Sequence, residues 1–303
     1  MFCAVRTGQR AQEWFDLTSI AAPLGFGYYI LRLVHYRAEA TRGNLRPHGL
    51  VQLYAYLAFF PMLIIGPIHR ADTFFRWHAR RKFAAADLSV AFQRLLYGYV
   101  KVVVLARWLV VQQALYVDTL PVPALEVLFA SLQYGLFLYF SFAGYSDIAI
   151  GLARAMGYRI EENFDSPFLR RNLAEFWRAW HMSLSDWCRR YVFLPVFART
   201  RNHVIALYAT MLTLGLWHEF TVRYVLWGAW HAGGLALYRW LDAHIVPRLP
   251  VVDSRIGRTV VHGLAIATTF TFVVLGFTIT RTENPAAAAD AFWVIFTGWS
   301  VAE

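Results

Sequence analysis

Apolar residues in this chain fall into long runs rather than into the short alternations of strands or the one-sided stripes of soluble helices. Crossing about 30 Å of hydrocarbon takes roughly 20 apolar residues in a helix. By that measure the pattern predicts membrane spans near 18–35, 49–68, 88–113, 122–143, 203–220, 222–241 and 260–280. A shorter apolar piece at 289–300 reads as half of a final helix, while 146–157 and YVFLPVF at 191–197 are too short to cross. The third span carries Arg94, Lys101 and Arg107, so it must face protein or water, tilt strongly, or break in two. The polar and aromatic stretch from 154 to 201 predicts amphipathic or re-entrant helices at the membrane boundary.

Composition strengthens the membrane reading. The chain is 58% hydrophobic and only 16% charged, where a soluble domain carries about a quarter charged residues. Its formal charge of +10 raises the question of nucleic acid, but the cations lie between apolar runs. That placement is what anionic lipid and the positive-inside rule select, so no nucleic-acid partner is expected. Nine arginines against five acids between 154 and 201, and the basic run RWHARRKF at 76–83, place both regions on the cytoplasmic side. Cys3 and Cys188 give neither a disulfide framework nor a metal spacing. The N-terminus has no signal- or transit-peptide pattern, and no transporter-type repeat is evident. The expected class is an all-α polytopic membrane protein, a single domain over 1–303.

The chemistry-bearing residues concentrate in EFWRAWHMSLSDW at 175–187. A helix is predicted over 172–190, capped by Asn172, with Glu175 pairing to Arg171 or Arg178. On it Trp177, His181, Leu184, Ser185 and Cys188 would share one face, and Phe176, Trp180, Ser183 and Trp187 the next. A histidine among indoles, one turn from a hydroxyl, makes a polar spot in an apolar pocket; an interfacial aromatic belt accounts for the tryptophans equally well. Two more histidines sit in apolar runs, His218 in LGLWHEFTVRY and His231 in LWGAWHAGG. Ionisable groups at membrane depth are rare and face cavities. His218 reads equally as functional or packed, whereas His231, beside Gly228, Gly233 and Gly234, reads as a satisfied packing residue.

GYSDIAIGLARAMGYRIEENFDSPF, EFWRAWHMSLSDWCRRYVFLP and GLWHEFTVRYVLWGAWHAG together resemble the membrane-bound O-acyltransferase family, within it the bacterial alginate O-acetyltransferase branch. LAFFPMLIIGPIHRADTF at 57–74 and FTITRTENPAAAADAF also look like that branch, so the likeness covers roughly 20–295, with a motif core at 141–235. The resemblance implies a multi-helix bundle around a central tunnel, multi-pass in the bacterial inner membrane. It implies His218 as a buried catalytic base and His181 as a second catalytic-site residue that orients by hydrogen bonding. Trp177, Arg178, Trp180, Ser185 and Trp217 match donor-binding positions. Acetyl-CoA or another acyl thioester, free or on a carrier, is the implied donor, with no bound cofactor and no metal. The implied partners are membrane lipids and an extracytoplasmic acetyl-transfer protein. Histidine suits the chemistry, because attack of a hydroxyl on a thioester needs a base near neutral pH. Family members carry further membrane helices before the equivalent of residue 20, so the chain reads as N-terminally shortened. EFTVRY after His218 departs from the HGANW-like continuation of the alginate branch. The competing readings are D-alanyl transfer to teichoic acid, acylation of another hydroxyl, and a proton-coupled transporter. Asp147 and Glu126 are the only intramembrane carboxylates such a transporter would have.

Overall fold

The computed structural model describes residues 17–80, 84–116, 123–248 and 254–298. Cys3 and the end of the basic run, 81–83, lie outside them. The described residues form helices and no strand. They divide into two compact units, residues 1–116 with 136–163, and 117–135 with 164–303.

In the first unit, α1 (Leu17–Thr41), α2 (Leu50–Leu57) and α3 (Ala71–Arg80) surround an aromatic core. Tyr56, Phe59, Met62, Phe74 and Tyr158 are buried there, and the Phe74 and Tyr158 rings stack at 5.1 Å. The predicted span at 49–68 is not one helix. After Leu57 the chain passes through a 3-10 turn at Phe60–Met62, started by Pro61, before reaching α3. Proline supplies no backbone N–H for a continuing helix, which is why the apolar run alone misleads.

Helix α4 (Ala85–Tyr99) continues through a wider π turn at Val100–Ala106 into α5 (Arg107–Tyr116). Of its three cations, Arg94 and Lys101 face protein, whereas Arg107 is exposed. Asp147, with 6% of its side chain exposed, accepts from Arg94 and from Lys101, each at 2.5 Å. Arg94 also pairs with Glu162, and Arg154 with Asp87 at 2.7 Å. Each carboxylate is matched by cations, which is the condition for keeping such charges among apolar helices.

Helix α6 (Pro123–Ala155) joins the predicted 122–143 span and the 146–157 piece into one element of 33 residues, about 50 Å long. Together with α12 (Arg255–Arg281), it is long and apolar enough to cross a membrane. Shorter apolar helical stretches are α2 with the 3-10 turn after it, over Leu50–Met62, and α13 (Pro285–Thr297).

In the second unit, the predicted helix over 172–190 is broken into α7 (Leu173–Ala179) and α8 (Met182–Cys188). A π turn at Arg189–Phe193 and α9 (Leu194–Thr200) follow, then α10 (His203–His218) and α11 (Val222–His244). At 16 residues α10 is about 24 Å long, short of the hydrocarbon thickness. Helices α10 and α11 pack closely because Gly228 has no side chain: a Cβ there would stand 2.6 Å from the Met211 carbonyl oxygen.

Candidate functional site

The break between α7 and α8 builds the site. The Asn172 side chain caps α7, its Oδ1 accepting from the Glu175 N–H at 2.8 Å, and Arg171 pairs with Glu175 at 3.2 Å. Trp180 then leaves the helical region, and His181 adopts φ 45° and ψ 53°. A left-handed conformation is unfavourable for a residue with a Cβ and survives only where its surroundings enforce it. Here the Ser185 hydroxyl donates to the Trp180 carbonyl at 3.1 Å across the break, while the Ser185 N–H donates to the His181 carbonyl at 3.0 Å. The face shared by Trp177 and His181 on a continuous helix does not exist. The kink instead directs the His181 ring inward, and the residue is 4% exposed.

That ring meets the edge of Trp217 with centroids 6.3 Å apart, and Phe164 at 6.1 Å. Trp217 in turn lies 4.9 Å from His218, the last residue of α10. His218 is flanked by Tyr224 at 5.7 Å, nearly parallel, and by Trp227 at 5.8 Å. The sequence expectation was a buried His218; its ring is packed against these three aromatic side chains, while part of the residue reaches the surface where α10 ends and Glu219 turns to extended backbone.

Trp227 connects this pair to a deeper group. Its ring lies 5.8 Å from Trp177 and 4.9 Å from His231, and Trp177 and His231 are 5.1 Å apart. His231 is 2% exposed and fits because residue 276 is glycine, where a Cβ would approach its Nε2 to 2.8 Å. The Nε1 atoms of Trp177 and Trp227 and the Nδ1 of His231 are buried without a hydrogen-bond partner among the described residues. His231 is therefore not the satisfied packing histidine that its small neighbours imply.

The remaining residues singled out by sequence take different places. Trp180 stacks on Phe176 at 5.6 Å and contacts Phe164, Phe168 and Phe277 at 5.2, 5.7 and 5.9 Å. Arg178 is exposed. Burial pushes the Cys188 thiol up to about 12, which leaves it protonated and unfit as a nucleophile at neutral pH. Among the described residues, no group of three or more His, Cys, Asp or Glu side chains is placed to hold a metal ion. The structure thus joins His181, Trp217 and His218, and adds Trp227, Tyr224 and His231. The i, i+4 spacing of Trp227 and His231 was the available signal for the last pair.

The model of the MBOAT, membrane-bound O-acyltransferase family matches residues 12–249. A Pseudomonas aeruginosa protein named "Probable alginate O-acetylase AlgI" is 36% identical over 300 residues, covering 95% of this chain and 55% of its own length. The teichoic acid D-alanyltransferase of Bacillus subtilis is 30% identical over 274 residues, 84% of this chain and 68% of that protein. The peptidoglycan O-acetyltransferase of Helicobacter pylori is 27% identical over 244 residues, with 77% and 44% covered. The chain spans about half the length of the alginate relatives it matches.

Proposed function

The chain belongs to the membrane-bound O-acyltransferase family, and on that premise we propose that it moves an acyl group from a thioester to a hydroxyl of an envelope or exopolysaccharide. The observation that carries this reading is the His181–Trp217–His218 arrangement, with one histidine enclosed and the other reachable. His218 takes the proton from the attacking hydroxyl as its oxygen bonds to the thioester carbonyl carbon. The thiolate then leaves as the carbonyl re-forms, and the proton on His218 passes to it or to solvent. A positioned general base of this kind contributes about 10²–10⁴ in rate. His181 orients the reacting groups by hydrogen bonding. Trp177 and Trp217 wall the acyl-donor side, and Trp180 with Ser185 holds the kink that sets His181. Arg178 offers its charge to donor phosphates.

The acyl group is acetyl, from acetyl-CoA or an acyl carrier, and the acceptor is an alginate-type polysaccharide reached through an extracytoplasmic acetyl-transfer protein. The similarity to alginate relatives supports this choice. D-alanyl transfer is the second reading, favoured by the match to the Bacillus subtilis D-alanyltransferase, of which this chain covers the larger share. Residues 1–303 act as one membrane domain with a tunnel leading to the site, in the bacterial inner membrane.

Purified protein in detergent, given radiolabelled acetyl-CoA, tests the reaction class, using a polysaccharide acceptor and separately a D-alanyl carrier donor. Label transfer that needs the protein supports the reading, and the productive donor chooses between the two versions. No transfer from either donor by folded protein contradicts it.

A further inference from the structure

The first unit contains a second polar group that the proposed acyl transfer does not use. Along α1, Tyr28, Arg32, His35 and Glu39 follow at helical spacing and share one buried face, at 1%, 1%, 4% and 6% exposure. The Arg32 Nε donates weakly to the Tyr28 carbonyl at 3.4 Å, but Nη1 and Nη2 are buried with no hydrogen-bond partner among the described residues. His69, 5% exposed, also has both ring nitrogens buried and unpartnered. The Tyr56 hydroxyl ties the two segments together, within 3.1 Å of the His69 carbonyl and 3.4 Å of the Arg32 carbonyl. Arg32 and His35 lie within electrostatic range of His69.

A guanidinium cannot shed its proton in a protein, so burial does not neutralise Arg32. An unpaired buried charge is among the costliest features a fold can contain. Among the described residues, the nearby acids do not relieve it. Glu39 lies seven residues further along α1, about 10 Å away, and accepts from Arg42 at 3.1 Å and Asn44 at 2.7 Å. Asp72, Asp87, Asp147 and Glu162 each pair with another cation. His35 cannot compensate, since its Nε2 accepts the Ala71 N–H at 3.0 Å.

We propose that Arg32 and His69 form a binding site for an oxyanion group, a phosphate or carboxylate, held by the two terminal guanidinium nitrogens and one imidazole N–H. A planar guanidinium offers two parallel donors matched to such a group, and a neutral imidazole adds a third. The surrounding Tyr56, Phe59 and Phe74 rings, at 4.9, 5.5 and 5.5 Å from His69, keep water away and strengthen each bond. The anion comes either from a lipid headgroup or from solution. Because the donors are closed off from solvent, it remains bound through purification.

Native mass spectrometry of the full chain, wild type and Arg32→Gln, tests the site and identifies the source by mass. Thermal unfolding is then followed with inorganic phosphate at matched ionic strength, and in vesicles of phosphatidylglycerol against phosphatidylcholine. Arg32→Met serves as a second variant, and Arg46→Gln, an exposed arginine, as the control. The expected result is a retained anion, or a rise in melting temperature with phosphate or phosphatidylglycerol, in wild type and the control. Arg32→Gln should weaken it by about 10–100-fold, the worth of a charged hydrogen bond. A phosphatidylglycerol response alone assigns a headgroup, and a phosphate response alone assigns a soluble anion. Equal retention in Arg32→Gln overturns the proposal. So does an Arg32→Met protein at least as stable as wild type, with no retained anion and no response to either probe.

Discussion

The rings of His181 and Trp217 meet edge to face, with centroids 6.3 Å apart and planes at 89°. This contact exists only because His181 sits in a left-handed turn instead of continuing α7. Asparagine is among the side chains that tolerate that conformation and can still donate and accept hydrogen bonds. His181→Asn should therefore retain part of the transfer rate, while His181→Ala, which loses the ring and every polar atom, should lose at least ~10-fold more. Single-turnover rates of the two folded variants check this. Equal rates would remove His181 from any orienting role.

The Ser185 hydroxyl should matter through geometry rather than chemistry. Ser185→Ala removes one hydrogen bond to the Trp180 carbonyl, worth about 1 kcal/mol. The expected result is a modest fall in melting temperature with a larger fall in kcat than the change in KM for the donor. A variant with unchanged kcat would show that the kink is held without this bond.

Much of this was legible in the sequence and some was not. The Asn172 cap and the Arg171–Glu175 pair follow from residue spacing, which governs local geometry, whereas the coupling of His181 with His218 rests on the likeness to a known family. The break at Trp180–His181 does not. No glycine or proline marks it, and helical periodicity continues straight through, so only tertiary packing of Trp180 among four phenylalanines reveals it. The same limit applies to His231, whose small neighbours signal close helix packing but not which of its nitrogens find partners. Likewise, apolar content alone could not separate α2 from the turn at Pro61, or show that α6 runs unbroken from 123 to 155.

The basic surface gives a prediction about orientation. Arg199 and Arg201 are exposed, as is Arg178, and none of the three has an ion pair among the described residues. The positive-inside rule places such residues in the cytoplasm. Cysteine introduced at 199 should resist a membrane-impermeant reagent in intact cells and react after permeabilisation. Labelling from outside in intact cells would reverse the orientation.

Acid sensitivity should centre on Asp186. Burial raises its pKa, but hydrogen bonds from Arg190 at 2.6 Å and Arg189 at 3.0 Å outweigh this and hold it below the ordinary carboxylate value. A depressed folded-state pKa contributes stability above the unfolded value, near 4, and loses it as pH falls through the folded one. Asp186→Asn should thus melt below wild type at neutral pH, with the gap closing only in strong acid. A gap independent of pH would mean that the charge is not what stabilises.

The central claim is that His218 abstracts the proton, and the most direct measurement is acyl transfer per folded molecule in His218→Gln. Glutamine keeps approximate size and hydrogen bonding but cannot take the proton near neutral pH. The expected loss is at least ~10²-fold, with insertion and melting temperature close to wild type because His218 stands at the open end of α10. His231→Ala, measured alongside, should be more damaging to stability than to the rate of the folded fraction, since that ring is buried between Trp177 and Trp227. Substantial turnover by His218→Gln, or a deeper catalytic loss in folded His231→Ala, would contradict the account and move the base to the other histidine.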